Sequence, residues 1–495
     1  MNLRRRSSLW ALALLVLLLP LGGCFGPWRR PTKAPASGAW IGDDRSNLTA
    51  ATLADLQRAR ISEYFVDAAR LEWSGGEPVL RPGALDALPG RAGATLVVRG
   101  SWPAEVTDGK TAGKRLAAEI ERLRLDAEGR GLLAVGVHLD VDAGGSLGPY
   151  AAALSRIRSD LDRSLFVSAS MQRGWLDDRA ASDLAQAVDF LVVFVYGQRP
   201  GEREDPKAWD FEQVQANLRR ADDLGRPYFI GCVTLGSARH QGPRGEPIEA
   251  SSRVSLKDLV FNPRLRLQGG FTLEGIDRQV YGFQAVAPTT VGDWQIAKDD
   301  VVRVVSAGTT NIHDLHQRIA SLALRHALGE VFYRLPGPEE GLALTAGNLA
   351  DAAAPSPPAV DLLLTTQTLS RSADRVLFKV VLENRNDERS DVSTFDNNFV
   401  ELGAEGGLFG DVEPGGFQRF ELLRRGSDRV DMEALRNPQR VRLFLPLVEG
   451  KERIESGPIE LRVQGRDPRV VFEAHFIMSD GRAVNVQPVT WTPGS

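Results

Sequence analysis

The stretch Gly136-Val137-His138-Leu139-Asp140-Val141-Asp142 decides how this chain is read. Side chains alternate faces along a strand, so His138, Asp140 and Asp142 share one side while Val137, Leu139 and Val141 share the other. Two carboxylates held side by side repel unless one takes a proton or finds a partner. The run ends at Ala143-Gly144-Gly145, a turn signal. It therefore reads as a buried strand that carries polar groups up to its C-terminal end.

Working outward, apolar strand-like runs alternate with amphipathic stretches from about residue 62 to 344. Strands are expected near Tyr64–Arg70, Thr95–Gly100, Leu132–Asp142, Leu165–Ser170, Phe190–Tyr196, Tyr228–Leu235, Val301–Val305 and Glu330–Arg334. Helices are expected at Gly113–Leu125, Pro149–Leu161, Asp178–Ala187, Phe211–Leu224 and Ile312–Ala327. Eight strands alternating with helices is the pattern of a (β/α)8 barrel. The barrel is assigned to residues 59–350, with a β-rich insertion at about 236–298 where the helix signal is lost. Ala-Ala-Ala-Pro-Ser-Pro-Pro-Ala at 352–359 marks a linker, assigned to 351–360. From 361 to 495 the pattern is purely β, with turns rich in Asn, Asp and Gly, which predicts a β-sandwich. The fold class is thus α/β: a TIM-like barrel followed by an all-β domain.

The start of the chain reads as an export leader. Arg4, Arg5 and Arg6 precede an apolar core from Leu9 to Leu21, and Leu21-Gly22-Gly23-Cys24 closes it. That core is shorter than the ~20 residues a membrane-spanning helix needs. The closing tetrapeptide resembles the bacterial lipobox, which implies cleavage after residue 23 and a lipid on Cys24. Residues 24–58 would then be the lipidated Cys and a tether rich in Pro and Ser. The expected location is the cell envelope, anchored by lipid outside the cytoplasm. With Phe rather than Asp at position 25, that would be the outer membrane in a cell with two.

Composition narrows the chemistry. The formal charge is −4, and −7 once the three leader arginines are removed, with no basic stretch suited to nucleic acid. Cys232 would be the one remaining thiol, so no intrachain disulfide is expected, and its apolar strand makes it a core residue. Six His with no clustered Cys predict no metal site, and His313 and His316 lack a third ligand. No phosphate loop, dinucleotide fingerprint or Gly-x-Ser-x-Gly elbow occurs, so no cofactor is expected.

Asp140 and Asp142 lie about 6.8 Å apart along the strand, from a rise of ~3.4 Å per residue, a separation comparable to that of paired glycosidase carboxylates. The competing reading is a pair that caps turns. Trp102, Gln172, Trp175, Tyr196 and Gln198, at or just beyond other strand ends, could line a cleft with His138. Aromatic faces stack on sugar rings, and amides and carboxylates bond hydroxyls.

Val135-Gly136-Val137-His138-Leu139-Asp140-Val141-Asp142 resembles a degenerate form of the chitinase-type (glycoside hydrolase family 18) signature, Asp-Gly-x-Asp-x-Asp-x-Glu. Val188-Asp189-Phe190 through Tyr196 resembles that family's later strand, Val-Asp-hydrophobic…Met-x-Tyr-Asp. Leu139-Asp140-Val141-Asp142-Ala143, followed by Tyr150, Leu154, Leu165–Ser170 and Trp175-Leu176, is similar to an uncharacterised bacterial family of exported barrel-like proteins, domain of unknown function 3142. The resemblance implies Asp142 as general acid, Asp140 as its partner and Tyr196 as a group that orients the intermediate. The departures are pointed: Asp142 stands where the pattern has Glu, His138 where it has Asp, and Gly197 where an Asp follows the Tyr. The motif also counts as the third strand here, whereas that family carries it on the fourth. The leading reading is a barrel that binds a polysaccharide or envelope glycan, with hydrolysis left open; the alternatives are a non-catalytic barrel that binds glycan or an envelope protein, and a structural platform for an assembly.

Overall fold

The computed structural model describes residues 37–42, 48–86, 88, 92–194, 211–272, 278–337, 340–356, 358–393, 396–465 and 467–493. Eight parallel strands close into a barrel: β1 (Ser37–Ile41), β2 (Ile61–Ser74), β3 (Ala94–Ser101), β4 (Ala134–Asp142), β5 (Phe166–Gln172), β6 (Phe190–Phe194), β7 (Tyr228–Val233) and β8 (Ala327–Tyr333). Closure comes through β1, which pairs with both β2 and β8. A further strand, Glu77–Pro82, folds back antiparallel on β2 as a hairpin.

Two of the sequence expectations are corrected here, and the corrections offset each other. The segment read as tether contains a barrel strand, Ser37–Ile41, buried from Gly38 onward. Conversely, Val301–Ala307 is not a barrel strand; it pairs antiparallel with Ser237–Gln241 and Arg278–Ala285 in the insertion. Adding the first and removing the second leaves eight strands and moves the His138–Asp142 strand to fourth place.

Helices α1 (Ala50–Arg58), α2 (Gly109–Gly129), α3 (Leu147–Asp160), α4 (Ala181–Gln186), α5 (Phe211–Asp223) and α6 (Thr309–Ser321) flank the strands. Local chemistry starts them: Thr49 and Thr52 form a reciprocal capping box at α1, and Asp108 accepts from the Thr111 N–H at α2. One face of the parallel strands packs on these helices. Val137, Leu139 and Val141 join Leu116, Ile120 and Leu154 there, as expected for a sheet covered on its outer side. The α2–α3 contact is close, because a Cβ on Gly113 would lie 2.5 Å from the Ala153 carbonyl oxygen.

The opposite strand faces fill the barrel interior. Trp40, Phe65, Val97, Val192, Phe229 and Val331 form that inner core. After β7 the chain builds a five-stranded antiparallel sheet with strands from Ser237 to Ala307. Its core, including Tyr281, Phe283 and Val302, also takes in Val392 and Leu447 from the C-terminal region. A short helix, α7 (Ala346–Ala352), leads to two five-stranded antiparallel sheets packed over Phe378, Phe409, Phe472 and Phe476. The whole is a TIM barrel followed by a β-sandwich.

Candidate functional site

Strand register assembles a polar cluster inside the barrel. Arg99 on β3 pairs directly with Asp140 on β4, and His138 pairs with Ser168 on β5. Arg99 Nε lies 3.1 Å from Asp67 Oδ1 and 3.8 Å from Asp140 Oδ2. Its other end donates to the Tyr333 hydroxyl at 2.9 Å, and its guanidinium sits over the rings of Trp40 and Tyr333. Trp40 Nε1 donates to Asp67 at 2.7 Å. One cation thus bridges two buried carboxylates, the arrangement by which a low-dielectric interior tolerates such charges.

His138 is fully buried, with Nδ1 2.9 Å from Ser168 Oγ and Nε2 3.0 Å from Ser170 Oγ. Ser170 Oγ donates to Asp140 Oδ1 at 2.7 Å. A hydroxyl has one proton to give, so Ser170 must receive one from Nε2–H; with the ring neutral, Nδ1 then accepts from Ser168 Oγ, whose proton the Val137 carbonyl at 3.3 Å also competes for. The result is a directed chain, Ser168 to His138 to Ser170 to Asp140. Burial pushes the imidazole down to about 4; the Arg99 charge acts in the same direction and Asp140 opposes it. His138 is therefore a neutral relay that fixes Asp140, rather than a cation. Burial also raises the Tyr333 hydroxyl, keeping it protonated as a donor.

Asp142 stands apart from this cluster. It shares the inner face of β4 one step nearer the mouth, but it is exposed, and its Oδ1 accepts from the Gly144 N–H at 3.0 Å. This is the turn-capping geometry. Asp140, by contrast, is buried and held by side chains of neighbouring strands. Gln172 ends β5 on the inner face of Ser168 and Ser170 and is half-buried at the mouth.

Trp102 and Trp175 do not converge on Asp142. They are only 4% and 7% exposed and lie in the apolar layer between strands and helices. Trp102 Nε1 donates to the Val106 carbonyl, and its ring lies 5.1 Å from Trp73 and 5.5 Å from Tyr150. Trp175 meets the same Tyr150 from α3 at 6.4 Å. Neither ring offers a free face for stacking on a sugar, which corrects their assignment to the cleft. Tyr196, Gln198 and Cys24 lie outside the described residues.

Trp40, Arg99 and Tyr333 join this site without a motif in the sequence that marks them. Arg99 left a signal, a cation closing the apolar run Thr95–Val98, whereas Trp40 was hidden in a segment read as tether. His316 packs on Glu330, and His313 Nδ1 lies 2.9 Å from the Ala352 carbonyl oxygen. Among the described residues no group of three His, Cys, Asp or Glu is placed to hold a metal ion.

No known family profile matches the chain, and no curated relative matches it. Solved structures do. The spore cortex-lytic enzyme SleL of Bacillus megaterium QM B1551 is 15% identical over 64% of this chain and 74% of that one, with a TM-score of 0.45. A chitinase from Chromobacterium violaceum ATCC 12472 is 15% identical over 64% and 98%, at 0.44. Chitinase ChiA74 from Bacillus thuringiensis is 9% identical over 93% and 100%, at 0.43.

Proposed function

We propose that this chain is an exported, lipid-anchored protein whose barrel mouth binds a polysaccharide or cell-envelope glycan. The observation that carries the reading is the set of hydroxyl-matching groups on the inner strand faces: Arg99 and Asp140 inside, with Tyr333 and Gln172 half-buried toward the mouth. Carbohydrate recognition needs such planar donors and acceptors, held rigidly so that little ordering is lost on binding. The relay from His138 and the Arg99 bridge supply that rigidity.

Binding fits this geometry better than hydrolysis. A general acid has to donate a proton to the leaving oxygen. Asp140 instead accepts from Ser170 beside a guanidinium, and the Asp142 carboxylate accepts from the Gly144 N–H. Asp142 is also one methylene shorter than the Glu of the resembled signature. Hydrolysis keeps one observation in its favour, since Asp142 is exposed at the mouth on the same strand face as Asp140. The resemblance of Leu139-Asp140-Val141-Asp142-Ala143 to the family of domain of unknown function 3142 fits both readings.

The test uses the chain from Cys24 onward, with peptidoglycan and chitin oligomers. Bound glycan and new reducing ends are measured for the native protein and for Asp140→Asn and Asp142→Asn. Binding lost in Asp140→Asn, with no reducing ends from any form, is the expected outcome. Reducing ends that vanish in Asp142→Asn would establish hydrolysis instead.

A further inference from the structure

The barrel has an apolar floor. At the N-terminal strand ends, Phe65, Phe190 and Phe229 stack edge to face inside, and the Phe166 ring lies 6.4 Å from Phe190. Phe166 is 54% exposed, while Phe190 and Leu328 beside this inner core are half-buried. Two further leucines at the same end are open to solvent: Leu133, just before β4, at 52%, and Leu125, one turn from the end of α2, at 54%. Isolated exposed apolar side chains need no explanation, but three lie at one end of the barrel, and one of them, Phe166, continues its aromatic interior.

The chain enters the fold at this same end. All eight strands are parallel, so β1 begins where the others begin, and the Ser37 N–H bonds the Arg60 carbonyl in the loop before β2. Cys24 precedes Ser37 by only 13 residues. An extended chain of that length spans at most about 45 Å, so a lipid on Cys24 keeps the floor within that distance of the bilayer. Tethering at such range gives an effective concentration near mM, enough for a modest apolar patch to stay seated.

We propose that the floor of the barrel, centred on Phe166 and Leu133, rests in the lipid interface, with the mouth turned away from the membrane. The proposal rests on the lipid-anchor reading and adds an orientation to it. It gives the short tether a consequence: the mouth faces the space in which an envelope glycan lies. Aromatic and leucine side chains are the types that settle at the boundary between headgroups and acyl chains.

The test expresses the full chain with its leader in a bacterial host and reconstitutes the purified product in phosphatidylethanolamine–phosphatidylglycerol vesicles. A polarity-sensitive fluorophore is placed on Leu133→Cys, Phe166→Cys or, as a mouth control, Gly145→Cys, where an added Cβ meets nothing within 4 Å. Cys232 is buried and its thiol is pushed up by burial, so it stays unlabelled. Nitroxide lipids should quench positions 133 and 166 about twofold or more and leave 145 unchanged. Protein that floats with the vesicles but shows no quenching at 133 and 166 overturns the orientation. A label at 166 shielded from both nitroxide lipid and aqueous iodide assigns the floor to residues 25–36 and also overturns it. Failure to float at all refutes the anchor itself, and the orientation falls with it.

Discussion

Replacing Arg99 with Met removes a cation that touches both Asp67 and Asp140. The two carboxylates are only 7% and 9% exposed, and Arg99 lies 3.1 Å from one and 3.8 Å from the other. Deleting one partner of a buried ion pair typically costs about 3–5 kcal/mol, because the remaining charge stays buried without compensation. Arg99 itself is 32% exposed, so water can enter the space it leaves, and about 2–4 kcal/mol is the better expectation here. Met keeps much of the aliphatic stem, which limits the loss of packing. At about 2 °C per kcal/mol for a domain of this size, the barrel should melt about 4–8 °C lower. The assay is thermal unfolding followed by near-ultraviolet circular dichroism, with Trp40 as a native reporter since it lies under the guanidinium. Adding Asp67→Asn and Asp140→Asn to Arg99→Met removes the two buried negative charges that had faced the guanidinium and should restore at least half of the loss. An Arg99→Met protein that melts within about 1 °C of the native chain would refute the bridge as a stabilising element.

Three further outcomes follow from the same geometry. His138 is held neutral, with a folded value of about 4 against an ordinary 6.5. The unfolded chain therefore takes up a proton that the folded one refuses, and about 3 kcal/mol of stability present above pH 6.5 is lost as pH falls to about 4; His138→Gln should flatten that part of the melting-temperature profile. Trp175→Ala should destabilise the barrel by about 3–5 kcal/mol while leaving glycan affinity per folded molecule unchanged, because the ring is core and not cleft. Gly113→Val should cost about 1–3 kcal/mol, measured by urea unfolding, because the branched side chain meets the Ala153 backbone where α2 crosses α3.

Much of the barrel was legible because parallel strands covered on both faces read as apolar runs, and Thr95–Gly100, Phe190–Phe194 and Tyr228–Val233 have that form. Ser37–Ile41 escaped because five residues set among Pro, Ser and Gly look like linker, and its pairing with β2 and β8 is a long-range fact with no local signature. Val301-Val302-Arg303-Val304-Val305 misled for the opposite reason. Its composition suits a buried strand of any sheet, and composition does not say which neighbour it pairs with. The face of β4 that carries His138 and Asp140 was readable from alternation alone, whereas the identity of the bridging cation was not: Arg99 meets Asp140 through register between two strands about forty residues apart. The tryptophans show a further limit. A ring at a strand end lies on either side of the sheet, and only the packed structure puts Trp102 and Trp175 on the helix side.

The central claim is that the inner strand faces at the barrel mouth bind a glycan through fixed polar groups without cleaving it. Isothermal titration of the native chain with peptidoglycan fragments and chitin oligomers, repeated on Asp140→Asn and Gln172→Ala, tests it most directly. The expected result is saturable heat for at least one of these sugars, weakened about tenfold or more in each variant, at about 1.4 kcal/mol per tenfold, with the recovered sugar uncleaved. Equal affinity in all three proteins, or a recovered sugar shortened by the native chain, would contradict it.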